Sequence, residues 1–144
     1  MSKIIYISEA VSLALHSMAL IAKSKKMINA NEIADFMKFS KNHLSKVLQV
    51  LVRYDYLNSI RGPKGGFTLK KNAQEISLLE IYEIFEGKIS KQNCVLHNNG
   101  VCPYASCVFG GLIGKFSREF ELYLKNKTIA DFINNNINNE KNHN

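Results

Sequence analysis

Apolar residues recur at helical spacing along most of the chain, interrupted once by a short alternating stretch. From Ser8 onward, Val11, Leu15, Met18 and Ala22 form one stripe and Leu13, Leu20 and Ile21 another. This predicts a helix capped by Ser8, running to about Lys23, apolar on most sides and so central in the fold. Asn29 and Glu32 have capping-box spacing ahead of Ile33, Phe36 and Met37, which predicts a short amphipathic helix ending in a turn at Phe39 and Ser40. Ser40 is placed to cap a third helix, with Leu44, Val47, Leu48 and Leu51 on one face and Lys41, Asn42, His43 and Lys46 on the others.

Two short segments, apolar or alternating, then flank Gly62, Pro63, Lys64, Gly65 and Gly66 within the stretch from Tyr56 to Leu69, the pattern of a β-hairpin. Ser77 and Glu80 form a second capping box opening Leu78 to Glu86, and Gly87 is placed as a left-handed stop. Further on, Ile113, Phe116, Phe120, Tyr123 and Leu124 predict a long amphipathic helix, and Thr128 can cap a last short one through Ile133. The expected fold is mainly α with a small β-hairpin wing. A winged helix-turn-helix occupies 1–87, a cysteine loop 88–108, a dimerisation helix with a short terminal helix 109–134, and an Asn-rich tail without assigned structure 135–144.

Charge sharpens this picture. The chain of 144 residues carries a net +7, and residues 1–75 hold 12 Lys or Arg against 5 Asp or Glu, whereas 76–144 hold 7 of each. A solubilising surface would account for the total, but a one-sided field also suits a polyanion, because each phosphate neutralised releases counterions. The second helix of a helix-turn-helix offers its N-terminal side chains to base edges in the major groove, here Ser40, Lys41, Asn42 and His43, with Lys46 one turn on. Arg61 and Lys64 place charge at the tip of the wing. The expected partner is double-stranded DNA with a palindromic operator, read by a homodimer paired through the long helix; the other outcome for that helix is packing back on its own domain.

All 3 cysteines, Cys94, Cys102 and Cys107, fall in one loop. No apolar run approaches the roughly 18 residues of a membrane span, and the first residues lack a secretory pattern, so a cytoplasmic location is expected, where a structural disulfide is disfavoured. Their spacing lacks the knuckles of a zinc ribbon and the Cys-x-x-Cys of a thiol redox enzyme, so no enzymatic role is expected. A zinc site from the three thiols and His97 is chemically possible. Thiolates loosely spaced around a Gly- and Asn-containing loop suit an iron-sulfur cluster better, with one iron left to a non-cysteine ligand.

Four segments together resemble the family of winged-helix repressors with iron-sulfur clusters that includes IscR and the nitric-oxide-sensing NsrR. They are Phe39-Ser-Lys-Asn-His-Leu44, the wing Ile60-Arg-Gly-Pro-Lys-Gly-Gly-Phe67, the cysteine loop, and Lys127-Thr-Ile-Ala-Asp-Phe132. The resemblance implies a repressor released from DNA when nitric oxide meets the cluster, with iron supply or general redox state as alternative signals. IscR-like members place a histidine ligand three positions after the last cysteine, where this chain has Gly110, which favours a 4Fe-4S over a 2Fe-2S cluster. NsrR-like members use an acidic residue near the N-terminus of the partner subunit, the place of Glu9 here, with His97 as the other candidate. Glu9 also suits the first turn of a helix by its dipole alone.

Overall fold

The computed structural model describes residues 5–89 and 103–134. Cys94, His97, Cys102 and the tail 135–144 fall outside the described residues. The order of elements is α1 (Glu9–Lys23), α2 (Ala30–Met37), α3 (Lys41–Arg53), β1 (Leu57–Ile60), β2 (Gly66–Leu69), a 3-10 turn at Ala73–Glu75, α4 (Leu78–Glu86) and α5 (Leu112–Asn126). A further helical stretch covers 129–134.

Local chemistry sets most of the boundaries. The Ser8 hydroxyl accepts from the Val11 amide at 3.3 Å, satisfying one of the orphan donors at the start of α1. Asn29 with Glu32, and Ser77 with Glu80, form reciprocal capping boxes. Thr128 and Asp131 bond in the same way ahead of the terminal stretch. Ser40 differs from expectation: it has the extended backbone of an N-cap, but its side chain makes no capping hydrogen bond, leaving the hydroxyl exposed. Gly87 ends α4 with φ 76° and ψ −177°, outside the left-handed helical well although φ is positive.

α1 is buried on several sides, with Ala14, Ser17 and Met18 at 0% exposure. It packs against α3, α4 and β2, and the core it organises includes Ile33 of α2, Leu44, Leu48 and Leu51 of α3, Phe67 of β2 and Ile81 of α4. Each of these large side chains contributes about 1.5–3 kcal/mol by leaving water. The antiparallel hairpin pairs Leu57 with Leu69 through Ile60 with Gly66. Ile28 pairs with Phe67, which ties the approach to α2 onto β2. A Cβ on Gly66, at φ 156°, would lie 2.6 Å from the Ile28 carbonyl oxygen, so only glycine permits this close approach.

The end of the described chain returns to the same core. Leu78 N–H donates to the Lys127 carbonyl and Ile129 N–H to that of Ile76, and Ile129 is fully buried. Phe132 and Ile133 pack alongside it. α5 packs on its own domain along one side and leaves the other side exposed. Ile113, Gly114, Ser117 and Leu124 are buried, and Leu124 and Phe120 pack with Val11 and Tyr82, whereas Leu112, Phe116, Leu122 and Tyr123 are exposed.

Tyr56 links the hairpin to α4. Its hydroxyl donates to Glu80 at 3.1 Å, and Glu80 also accepts from the Ser77 amide and hydroxyl. Burial raises the Glu80 pKa, but the hydrogen bonds from Ser77 and Tyr56 outweigh it, so the carboxyl lies below its usual range. Burial and the facing carboxylate push Tyr56 up to about 12. A carboxylate with a depressed pKa adds stability above its unfolded-state pKa that is lost as pH falls through the folded value. Tyr56→Phe should therefore lower unfolding free energy in urea by about 1 kcal/mol at neutral pH. The difference from wild type should shrink as the medium is acidified below the usual glutamate range.

Candidate nucleic-acid interface and thiol site

α2 and α3 pack at the turn over Lys38 to Ser40, where Lys38 adopts φ 52° and ψ 48°. α3 buries Leu44, Val47, Leu48 and Leu51, so its remaining surface is fixed by subtraction: Lys41, Asn42, Lys46, Gln49 and Arg53 are exposed. Asn42, Lys46, Gln49 and Arg53 follow one another at intervals of three or four, one continuous face. Gln49 and Arg53 were not among the candidates read from sequence. The helical spacing from Asn42 could have found them, because it places an amide and a cation on the same exposed face.

His43 sits apart from the exposed row. It is half-buried, with Nδ1 3.4 Å from the Glu9 carboxylate and its ring 5.6 Å from that of Phe39. The structure thus brings together two candidates given different tasks, one for DNA and one for metal.

The hairpin tip carries Arg61 and Lys64, both exposed. Its turn closes through the Gly65 amide to the Gly62 carbonyl at 2.9 Å, and a Cβ on Gly65 would lie 2.1 Å from the Ile60 carbonyl oxygen. Through the Ile28 and Phe67 pairing, the wing and the start of α2 form one rigid corner.

Cys107 lies exposed just before α5. Gly110 and Gly111 follow it with φ 58° and 75°, turning the backbone back on itself. The backbone amides of Gly111 and Phe109 lower the thiol pKa, against a smaller opposing effect of burial. The Gly110 amide donates to the Cys107 carbonyl at 2.9 Å and closes the turn. Among the described residues no three His, Cys, Asp or Glu side chains converge as a metal site. Nor, among the described residues, is any helix long and apolar enough to cross a membrane.

A helix-turn-helix followed by a hairpin with a basic tip defines a winged-helix DNA-binding protein. The chain belongs to the Rrf2 family of iron-dependent transcriptional regulators, whose profile matches residues 7–135. It is 28% identical over 130 residues to a protein of Aquifex aeolicus described as an HTH-type transcriptional regulator, covering 88% of this chain and 90% of that one. It is 42% identical over 67 residues to the HTH-type regulator BadM of Rhodopseudomonas palustris, covering 46% and 43% of the two chains. The fold is similar to that of CymR, the global cysteine regulator of B. subtilis (TM-score 0.76, 22% identity, 90% and 97% covered). It is similar also to T. potens IscR (TM-score 0.69, 20% identity, 91% and 88% covered). The family and these relatives are transcriptional regulators, not enzymes.

With Cys94 and Cys102 replaced by serine, Cys107 should react with iodoacetamide with a pH midpoint below that of a cysteine in an unstructured peptide. The rate measured across pH under anaerobic conditions reports this. A midpoint equal to the peptide's would show that the amides do not act on the thiol.

Proposed function

We propose that the protein is a dimeric transcriptional repressor that binds palindromic double-stranded DNA and senses nitric oxide or redox state through an iron-sulfur cluster on Cys94, Cys102 and Cys107. The observation that supports this reading is the exposed Cys107, at the turn before α5 and in the same loop as the two other cysteines. The donor set of this residue fits a cluster, and Cys94 and Cys102 in the same loop would complete the thiolate ligands. With Gly110 contributing no side chain, the fourth ligand is Glu9 of the second subunit or His97 of the loop, and the cluster is of the 4Fe-4S type. When bound, the cluster would supply iron on which nitric oxide or an oxidant reacts. A cytoplasmic protein is the setting that suits such thiols.

The residues of the chain divide the work. Lys41, Asn42 and Lys46 present donors to base edges and phosphates, Ser40 and His43 stand beside them, and Arg61 and Lys64 of the wing supply charge for the backbone. The exposed Leu112, Phe116 and Tyr123 give a second copy an apolar face to cover. Cys107 directly precedes that helix, so a change of ligation acts where the two subunits meet. The family's iron dependence favours a second reading, the same fold sensing iron or cluster supply.

Anaerobically purified protein should be coloured and contain iron and sulfide, and Cys107→Ser should lose both. Titration with nitric oxide should bleach the colour and release an operator obtained by selection from random duplexes. A colourless protein with one zinc per chain would overturn the cluster reading. Phe116→Asp with Tyr123→Asp should give a monomer by sedimentation, and lower operator affinity by at least tenfold through loss of the paired half-site. A dimer retained in that variant would place the subunit interface elsewhere.

A further inference from the structure

We infer that Glu9 is a positioning residue for DNA recognition, holding His43 at the first turn of α3 so that one ring nitrogen is presented outward. The inference rests on α3 being the helix that reads DNA.

Three observations converge on it. Glu9 is fixed at its backbone, since Ser8 caps α1 at this point and the preceding segment is anchored by the Tyr82 hydroxyl donating to the Tyr6 carbonyl at 2.8 Å. Its carboxylate reaches Nδ1 of His43 at 3.4 Å, across from α1 to α3. The same imidazole lies tilted 46° to the ring of Phe39, in the turn before α3, so it is held from two directions. A carboxylate faces an N–H more favourably than a ring lone pair, which favours a hydrogen on Nδ1 at this ion-pair distance and leaves Nε2 to meet a base or phosphate.

The pair is partly exposed, 40% for the His43 side chain and 60% for Glu9, and such pairs contribute little to folding. Its value is orientational. An acidic group near phosphates opposes DNA binding by charge, so its removal should strengthen non-specific binding. A loss of specificity on removing Glu9 could not then come from the charge. It would come from His43 leaving its place.

The experiment uses the full chain as purified anaerobically, with iron and sulfide measured for each variant, and an operator selected from random duplexes by the wild-type protein; a loss confined to Glu9→Ala that follows its iron content would overturn the inference. Affinities for the operator and for a scrambled duplex are measured by fluorescence anisotropy at fixed salt, with circular dichroism checking that each variant is folded. Glu9→Ala should reduce the ratio of the two affinities roughly fivefold, the loss of about one hydrogen bond. Glu9→Gln, which keeps an acceptor oxygen, should restore most of it. His43→Ala should produce the same loss, and the double variant Glu9→Ala, His43→Ala should be no worse than His43→Ala alone.

Losses that multiply in the double variant, or a ratio unchanged by Glu9→Ala, would overturn the inference. Lys41→Ala and Asn42→Ala separate it from the reading beneath it. If they weaken operator binding while Glu9→Ala does not, only the role of Glu9 fails. If they too leave binding unchanged, α3 is not the reading helix, and both fail.

Discussion

The burial of α1 is the constraint on which the other elements depend. α3, α4 and β2 all pack against one helix whose Ala14, Ser17 and Met18 are closed to water, so the relative placement of α3, wing and α4 is set by one shared surface. Small residues at 14 and 17 let neighbours approach, and the Ser17 hydroxyl, buried there, donates to the Met37 sulfur at 3.5 Å, linking α1 to α2. Close-packed interiors leave little room for rearrangement, and α2, α3 and the hairpin share one such core. The polar face of α3 is thereby aimed by its own apolar side.

The wing is subject to a related restriction. It is joined to the body at its base by Tyr56, which reaches Glu80, and at its flank by Ile28, which pairs with Phe67. Gly66 lets the two backbones come together, and the Gly62 to Gly65 turn places Arg61 and Lys64 at the far end. Charge is thus carried where the chain is most exposed, and packing where it is least. For binding a polyanion such a division has a physical basis: cations at the tip could meet phosphates without disturbing the core that positions them.

Much of this was legible in the sequence, because the signals involved are local. Ser8, the Asn29 and Glu32 pair, the Ser77 and Glu80 pair and Thr128 each act within three or four positions, and their geometry follows from their spacing. The hairpin was equally local, carried by Gly62, Pro63, Gly65 and Gly66 between two short strands. Contacts between elements were not legible. Glu9 and His43 meet only because α1 crosses α3, and no periodicity encodes that crossing. The division of α5 into a packed side with Phe120 and Leu124 and an exposed side with Phe116 and Tyr123 depends on where Tyr82 and Val11 lie. The effect of the Phe109 and Gly111 amides on Cys107 escaped notice for a different reason: those groups belong to the backbone, whose path through this turn no side chain announces.

The two ends of α5 are held very differently. At its C-terminal end the chain is stitched to residues 76 and 78 by backbone hydrogen bonds and plugged into the core by Ile129. At its N-terminal end lie the exposed Cys107 and two glycines, followed within α5 by the buried Ile113, Gly114 and Ser117. The helix, 15 residues or about 22 Å long, is thus seated by backbone bonds at one end and by side-chain burial at the other. It is a strut between the thiol turn and the core around Ile129, and their spacing cannot change without repacking its buried side.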